Sequence, residues 1–358
     1  MTDAYQQIID VLSRSKRVLV TTHVRPDGDA LGTCAALVLA MRQKGIDAEV
    51  LLLSHLPTKY RFVFEDAGIV HHDVEKGWPD AGEGSGFRVQ GSVTEVQSSM
   101  NPEPRTLNPF FSRFDCLLVA DTGTWSQLPG LQERIANWNV PKLVLDHHLT
   151  QEDWADHKLV ITEAAAAGEI AAELIELWDV PIDEKMATAL YVALVSDTGW
   201  FQFSSTRPYT LRLAAMLMEA GVNTDHLYQL LYQNERPERI ALQTRAMQSL
   251  ELLAGGKLAV MTIRKADFAE TKANVPDTEN LINVPLQIRT VEVALLFTEP
   301  LDAGPVRVSL RSKGAIDVAK FAQQFAGGGH ARAAGLKMNT AFKDAHDQVV
   351  AAMQKEMI

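Results

Sequence analysis

Two short apolar runs, each ending abruptly in charge, constrain this chain more than any other feature. Val18-Leu19-Val20 leads into His23-Val24-Arg25-Pro26-Asp27-Gly28-Asp29, and Leu143-Val144-Leu145 leads into Asp146-His147-His148. A run that is apolar at every position reads as a strand buried on both faces, the mark of a parallel sheet covered by helices. Residues 114–120, Phe-Asp-Cys-Leu-Leu-Val-Ala, read as another strand, ending at Asp121. Open parallel sheets carry their functional crevice at the carboxyl ends of the strands. Carboxylates and imidazoles are costly there unless they bind something. A pair of metal ions is what they suit.

The remaining pattern extends this reading. Helical spacing over 4–14 and 30–44, with a second strand over 48–53, predicts an α/β domain with a mostly parallel, doubly wound sheet. Residues 77–110 interrupt it: Gly82-Glu83-Gly84-Ser85-Gly86 and Met100-Asn101-Pro102-Glu103-Pro104 mark an inserted loop or short β excursion. Helical patterns dominate from 168 to 253, at 169–178, 184–195, 208–220 and 225–233. Beyond Pro237, strands over 257–263, 291–298 and 305–311, with helices over 317–325 and 342–355, outline a smaller α/β domain. The expected division is a metal-binding catalytic domain over 1–205, a helical linker over 206–236 and a substrate-binding domain over 237–358.

Composition narrows the partners. With 46% hydrophobic and 22% charged residues the chain is an ordinary globular one. It holds no apolar stretch long enough for a bilayer and no leader pattern at its start. Two isolated cysteines, Cys34 and Cys116, argue against a disulfide framework. A cytoplasmic protein without a membrane partner is expected. A net charge of −11 disfavours coating of long duplex nucleic acid. The acidic excess lies in 1–235, while 236–358 carries a slight basic excess. A metal site in the first part and an anion-holding surface in the second would produce that asymmetry, and so would chance variation in surface charge.

The candidate ligands are His23, Asp27, Asp29, Asp121, His147 and Asp197, the last in Ser196-Asp197-Thr198-Gly199. Carboxylate and imidazole without thiolate suit Mn²⁺ or Mg²⁺ better than a structural zinc. Asp27 and Asp29 can address different ions, and Asp121 can bridge two. Two ions about 3.5–4 Å apart serve phosphate-ester hydrolysis, generating and orienting a hydroxide at neutral pH. Asp146 is expected to orient an imidazole through its ring N–H, and His148 to face the substrate phosphate as a donor. Trp125 and Trp200 are placed either to stack on a base or to pack around the site. His55, His71-His72, His157 and His226 are expected in solvated segments.

These strings carry a resemblance. Thr22-His23, Pro26-Asp27-Gly28-Asp29-Ala30-Leu31-Gly32, Asp121-Thr122-Gly123, Asp146-His147-His148 and Asp197-Thr198-Gly199 look like the motifs of the DHH phosphoesterase superfamily, in order. Gly327-Gly328-Gly329-His330-Ala331-Arg332-Ala333-Ala334-Gly335 resembles the signature of its DHHA1 subgroup. The match covers essentially the whole chain except about 77–110. Length and layout are most similar to the bacterial nano-RNase/pAp phosphatase branch, which trims very short oligonucleotides and dephosphorylates 3′-phosphoadenosine 5′-phosphate. The resemblance implies one Mn²⁺ on His23, Asp27 and Asp121, and another on Asp29, Asp121, His147 and Asp197. It implies that Arg311 holds the nucleotide by bidentate phosphate contacts, with Asn283 on the same surface. Gly328 and Gly329 would let backbone N–H groups approach a phosphate, and His330 and Arg332 would add donors.

The implied substrates are short single-stranded oligonucleotides or small nucleotide phosphates, held in a cleft between the domains, and a homodimer is compatible with the layout. Hydrolysis of a cyclic or linear dinucleotide, of pyrophosphate or polyphosphate, and non-catalytic nucleotide sensing stay open. Three departures bear on substrate preference. Gln151 stands where the family often has Asn, Ala165-Ala166-Ala167-Gly168 where a Ser/Thr run is common, and Ala326 where a further Gly is usual.

Overall fold

The first strand of the chain has no exposed face. In β1 (Arg17–Thr21) Val18 and Val20 enter one apolar cluster and Leu19 enters the cluster on the opposite side, as the two-residue repeat of a doubly covered strand requires. The structure, a computed structural model, describes residues 2–79, 108–314 and 316–357. Most of the expected insertion over 77–110 lies outside the described residues. The chain divides into two compact units, Met1–Gln233 and Asn234–Ile358.

The first unit is built on a six-stranded parallel sheet in the order β3-β2-β1-β4-β5-β6. Its strands after β1 are β2 (Asp47–Leu52), β3 (His71–Asp73), β4 (Cys116–Ala120), β5 (Lys142–Asp146) and β6 (His157–Val160). Its helices are α1 (Thr2–Arg14), α2 (Gly28–Gln43), α3 (Arg61–Glu65), α4 (Leu131–Ile135), α5 (Ala167–Leu177), α6 (Glu184–Asp197), α7 (Pro208–Glu219) and α8 (Thr224–Tyr232). One sheet face packs on α1, α2, α5 and α6 through residues such as Leu12, Leu37, Ile170 and Leu190. The other is covered by Phe110, Phe111, Phe114 and Trp138 with Leu131 and Ile135 of α4. Most of the stretch 206–236 packs with the first unit, because Leu213, Leu217, Val222 and Leu227 are buried in its core. The amphipathic pattern announced that these helices would be buried; it did not say against what.

His71, His72 and His157 depart from expectation. They lie in β3 and β6, the outermost strands of the sheet. Edge strands tolerate polar side chains and can be very short, so neither segment contains an apolar run to announce it.

The second unit carries a mixed sheet in the order β11-β12-β10-β9-β8-β7, in which only β8 and β9 run parallel. These strands are β7 (Glu251–Leu253), β8 (Leu258–Ile263), β9 (Val293–Thr298), β10 (Val306–Ser312), β11 (Gly328–His330) and β12 (Ala333–Met338). One face packs on α11 (Val318–Gln323) and α12 (Phe342–Glu356), the other on α9 (Pro237–Gln248) and α10 (Lys265–Thr271). Among the described residues, no helix is long and apolar enough to cross a membrane, and both cysteines are buried and unpaired.

One buried charge supports the first sheet away from the site. Glu49 of β2 accepts from Arg17 and from Arg113 (2.8 Å), and lies 2.5 Å from His72 Nε2. Burial pushes its carboxyl upward, but the bonds to His72 and Arg17 and the charge of Arg113 outweigh this and hold it at about 2. A depressed folded value contributes stability above the unfolded value near 4.5, which is lost as pH falls toward 2. Both arginines are partly exposed, so the contribution is about 2 kcal/mol. Glu49→Gln is expected to lower stability by about that amount at pH 7 and to flatten the stability–pH curve below 4.5. Urea titrations across that window check both effects.

Candidate metal centre

Each candidate ligand of the first unit sits at the carboxyl end of a strand or at a helix end beside it. His23 follows β1, Asp121 follows β4, and His147 and His148 follow β5. Asp27 is the N-cap of α2, Asp29 lies in its first turn, and Asp197 is the last residue of α6. The sheet order reverses between β1 and β4, which is where parallel sheets open their crevice. Glycines bring α6 against α2. A Cβ on Gly32 would lie 2.3 Å from the Ala189 carbonyl oxygen, and one on Gly28 would lie 1.8 Å from Ser196 Oγ. This approach carries Asp197 to the cluster. A carboxylate at a helix C-terminus opposes the helix dipole, so its placement calls for a cation.

Asp121 is the centre of the arrangement. Its Oδ2 lies 3.4 Å from His23 Nε2 and its Oδ1 lies 3.4 Å from His147 Nε2. His23 Nε2 is 3.9 Å from Asp27 Oδ1. His147 Nε2 is 3.2 Å from Asp197 Oδ2 and 3.7 Å from Asp29 Oδ2. The ligand atoms of His23, Asp27 and Asp121 lie within 4.8 Å of one another, as do those of Asp29, His147 and Asp197. Both imidazoles have their other nitrogen against a carbonyl: His23 Nδ1 is 3.1 Å from Val24 O and His147 Nδ1 is 3.2 Å from Ala164 O. A ring that donates from Nδ1 presents Nε2 as the ligand atom.

The electrostatics are strained without a cation. Burial raises the Asp29 carboxyl well above the usual range, and the charges of Asp121 and Asp197 push the same way. For Asp121 burial also pushes upward, but His147 and His23 outweigh it and hold the carboxyl low. Burial would lower both imidazoles; the Asp121 carboxylate beside each outweighs it, raising His23 to about 9 and His147 to about 12. Asp121 Oδ1 and His147 Nε2 are nonetheless buried without a hydrogen-bond partner. Orphaned buried polar atoms are rare and costly. A divalent cation held by these residues would satisfy both, and the oxygen/nitrogen donor set suits a hard or borderline ion. The residues present therefore fit the metals. Asp121 itself is left-handed (φ 62°), strained backbone of the kind found at functional sites.

The family models match in order: the DHH family N-terminal domain over residues 17–194 and the DHHA1 domain over 255–357. The chain belongs to the DHH family. A bifunctional oligoribonuclease and PAP phosphatase NrnA of Thermus thermophilus is 26% identical over 343 residues, covering 95% of this chain and 90% of that one. An exopolyphosphatase-related protein from Bacteroides fragilis superposes with a TM-score of 0.84 at 19% identity, covering 99% and 96% of the two chains. The exonuclease RecJ, in a structure bound to manganese, superposes with a TM-score of 0.53 at 16% identity, covering 99% of this chain and 94% of that one.

In this DHH protein the central triplet divides. Asp146 is fully buried. Its Oδ1 accepts from the His147 and His148 amides (2.7 and 3.1 Å) and lies 2.8 Å from His148 Nδ1. The imidazole it orients is thus His148, while His147 is oriented by the Ala164 carbonyl. The His148 side chain is 56% exposed and its bond to Asp146 raises its pKa. Gln151, the first departure, donates to Asp146 Oδ2 at 2.5 Å. Gly123 leaves the room: a Cβ there would lie 1.8 Å from Gln151 Oε1. Trp125 packs on Trp154, with ring centroids 4.5 Å apart. Trp200 stands edge-on to Tyr228 and Tyr232.

The candidates of the second unit lie in the edge strand β11, the turn after it, the interior strand β10 and a short 3₁₀ turn. Register pairs Arg311 with Ala333, and Ala333 with His330, across β10, β12 and β11. Arg311 is half-buried, and burial alone lowers its pKa. Arg332 is exposed and lies over Gly314; Asn283 is exposed in a short 3₁₀ turn. The glycines differ. Gly328 faces open space, whereas Gly329 (φ 141°) is needed for chain approach, since a Cβ would meet the Ala333 carbonyl oxygen at 2.5 Å. Ala326 occupies a left-handed conformation (φ 55°) that favours the usual Gly.

Gly32→Ala tests the α2–α6 approach. The added methyl meets a carbonyl of the facing helix and cannot be relieved by a rotamer change. A loss of about 1–3 kcal/mol in chemical denaturation is expected; an unchanged midpoint would show that the helices separate without cost.

Proposed function

We propose that this DHH-family protein is a two-metal phosphoesterase that hydrolyses short oligonucleotides and 3′-phosphoadenosine 5′-phosphate. The observation that carries the reading is Asp121, whose two oxygens lie 3.4 Å from imidazoles of two different ligand groups. The bifunctional name of the Thermus relative supports the substrate class. His23, Asp27 and Asp121 would hold one ion, and Asp29, Asp121, His147 and Asp197 the other, with Mn²⁺ the proposed metal and Mg²⁺ an alternative. Two such ions supply a water activated near neutral pH and neutralise charge on phosphoryl oxygens.

The chain's own groups complete the chemistry. Asp146 fixes His148 through Nδ1 and favours its protonated form, so that Nε2–H donates to the phosphoryl group as negative charge develops. Arg311, Arg332, His330, Asn283 and the Gly328 and Gly329 amides are assigned to anchoring the rest of the nucleotide. The buried unpaired cysteines fit a cytoplasmic setting.

Purified protein with Mn²⁺ is expected to cleave pAp and two-to-five-nucleotide RNA in preference to pyrophosphate and a cyclic dinucleotide. If both favoured substrates stay intact while another phosphate is cleaved, the reading fails. Asp121→Ala should abolish turnover, and Arg332→Ala should mainly raise KM.

His23 and His147 hold protons in the ion-free protein at neutral pH, so Mn²⁺ must displace them. Affinity therefore rises with pH, by up to about tenfold per unit for each proton released. Calorimetry in buffers of different ionisation heat counts those protons; a pH-independent affinity contradicts the assignment.

A further inference from the structure

The ligands Asp29 and His147 are both steadied by one short segment. The Ala164 carbonyl lies 3.2 Å from His147 Nδ1, and the Ala167 and Gly168 amides donate to Asp29 at 2.6 and 2.9 Å. Those two amides open α5, whose N-cap Ala166 has no capping side chain. Asp29 takes that role from another helix, an anion on orphan N–H groups. The alanine run thus acts on these two ligands through its backbone.

Glu169 stands behind the segment, 2% exposed. Its Oε2 accepts from the Ala165 amide at 3.0 Å and from Arg207 Nη2 at 2.6 Å; its Oε1 accepts from the Thr210 hydroxyl. Thr210 Oγ1 in turn accepts from the Arg207 amide at 3.1 Å, at the start of α7. The buried charge is paired and hydrogen-bonded on both oxygens, so its removal leaves three donors without their acceptor. The other ligand group is held differently. His23 leans on the Val24 carbonyl, and Asp27 on the Asp29 and Ala30 amides.

We propose that Glu169 is a positioning residue for one of the two ion sites. By fixing Ala165 it sets Ala164 against His147 and the α5 amides against Asp29, and it leaves the site of His23 and Asp27 unaffected. The inference rests on the two-ion reading above. Loss of a residue that orients metal ligands costs about 10–100-fold in metal affinity.

The test titrates Mn²⁺ into ion-free full-length protein by calorimetry, with thermal unfolding of the same ion-free samples. Wild type is expected to bind two ions. Glu169→Ala should keep one at wild-type affinity and bind the other about 10–100-fold more weakly. Glu169→Gln retains an acceptor for Ala165 and should lose less. Thr210→Val removes one donor at constant shape. It should weaken the same binding event by a smaller factor, and it carries the test if Glu169→Ala does not fold. Equal weakening of both events, or a lowered Tm with both affinities intact, makes Glu169 a fold residue only and overturns the proposal. Wild type binding fewer than two Mn²⁺ overturns the two-ion reading instead.

Discussion

Four carboxylates and two imidazoles converge on the crest of a sheet that is covered on both faces, and the rest of the first unit answers to that concentration of charge. Asp29 and Asp121 are buried; neighbouring carboxylates make Asp29 harder to keep ionised, while the two imidazoles hold Asp121 low. Such a cluster persists only when the scaffold holds it rigidly and a positive partner repays the desolvation. Asp121 gathers both imidazoles, one on each oxygen, from a left-handed backbone that Asp tolerates better than most residues.

The scaffold's solutions are local and physically distinct. Glycines at 28 and 32 let α6 approach α2 closely enough to deliver Asp197. The start of α5 lends its amides to Asp29. Asp146 stays outside the ligand groups of His23 and Asp29, and spends its hydrogen bonds on shaping the loop that carries His147 and His148. Gln151 occupies the gap beside Gly123 and ties that loop back to Asp146. Its extra methylene relative to Asn fits because no side chain competes for the space.

Much of the first sheet was legible because doubly buried strands must be apolar throughout, and β1, β4 and β5 are. The strands β3 and β6 were not, since edge strands of three and four residues need no apolar signature. His55 illustrates a further limit. Its sequence surroundings contain nothing that completes a site, yet the fold brings Asp73 to within 2.9 Å of its Nδ1. In the second unit the glycine run is a β-hairpin edge as much as a candidate phosphate cradle: Gly329 is demanded by backbone approach, and only Gly328 has open space beside it.

The sequence by itself determined which residue types stand at the strand ends, because several separate apolar runs, each followed by His or Asp, point to one site where any single run would not. It also determined the alternation of strand and helix that makes the first sheet parallel. Tertiary structure alone decided how those groups are shared: which imidazole Asp146 orients, that Asp121 faces two histidines at once, and that Glu169 and Arg207 brace the segment behind Asp29 and His147. Partners separated by tens to more than a hundred residues meet through helix packing and backbone amides, and neither leaves a periodic trace in the chain.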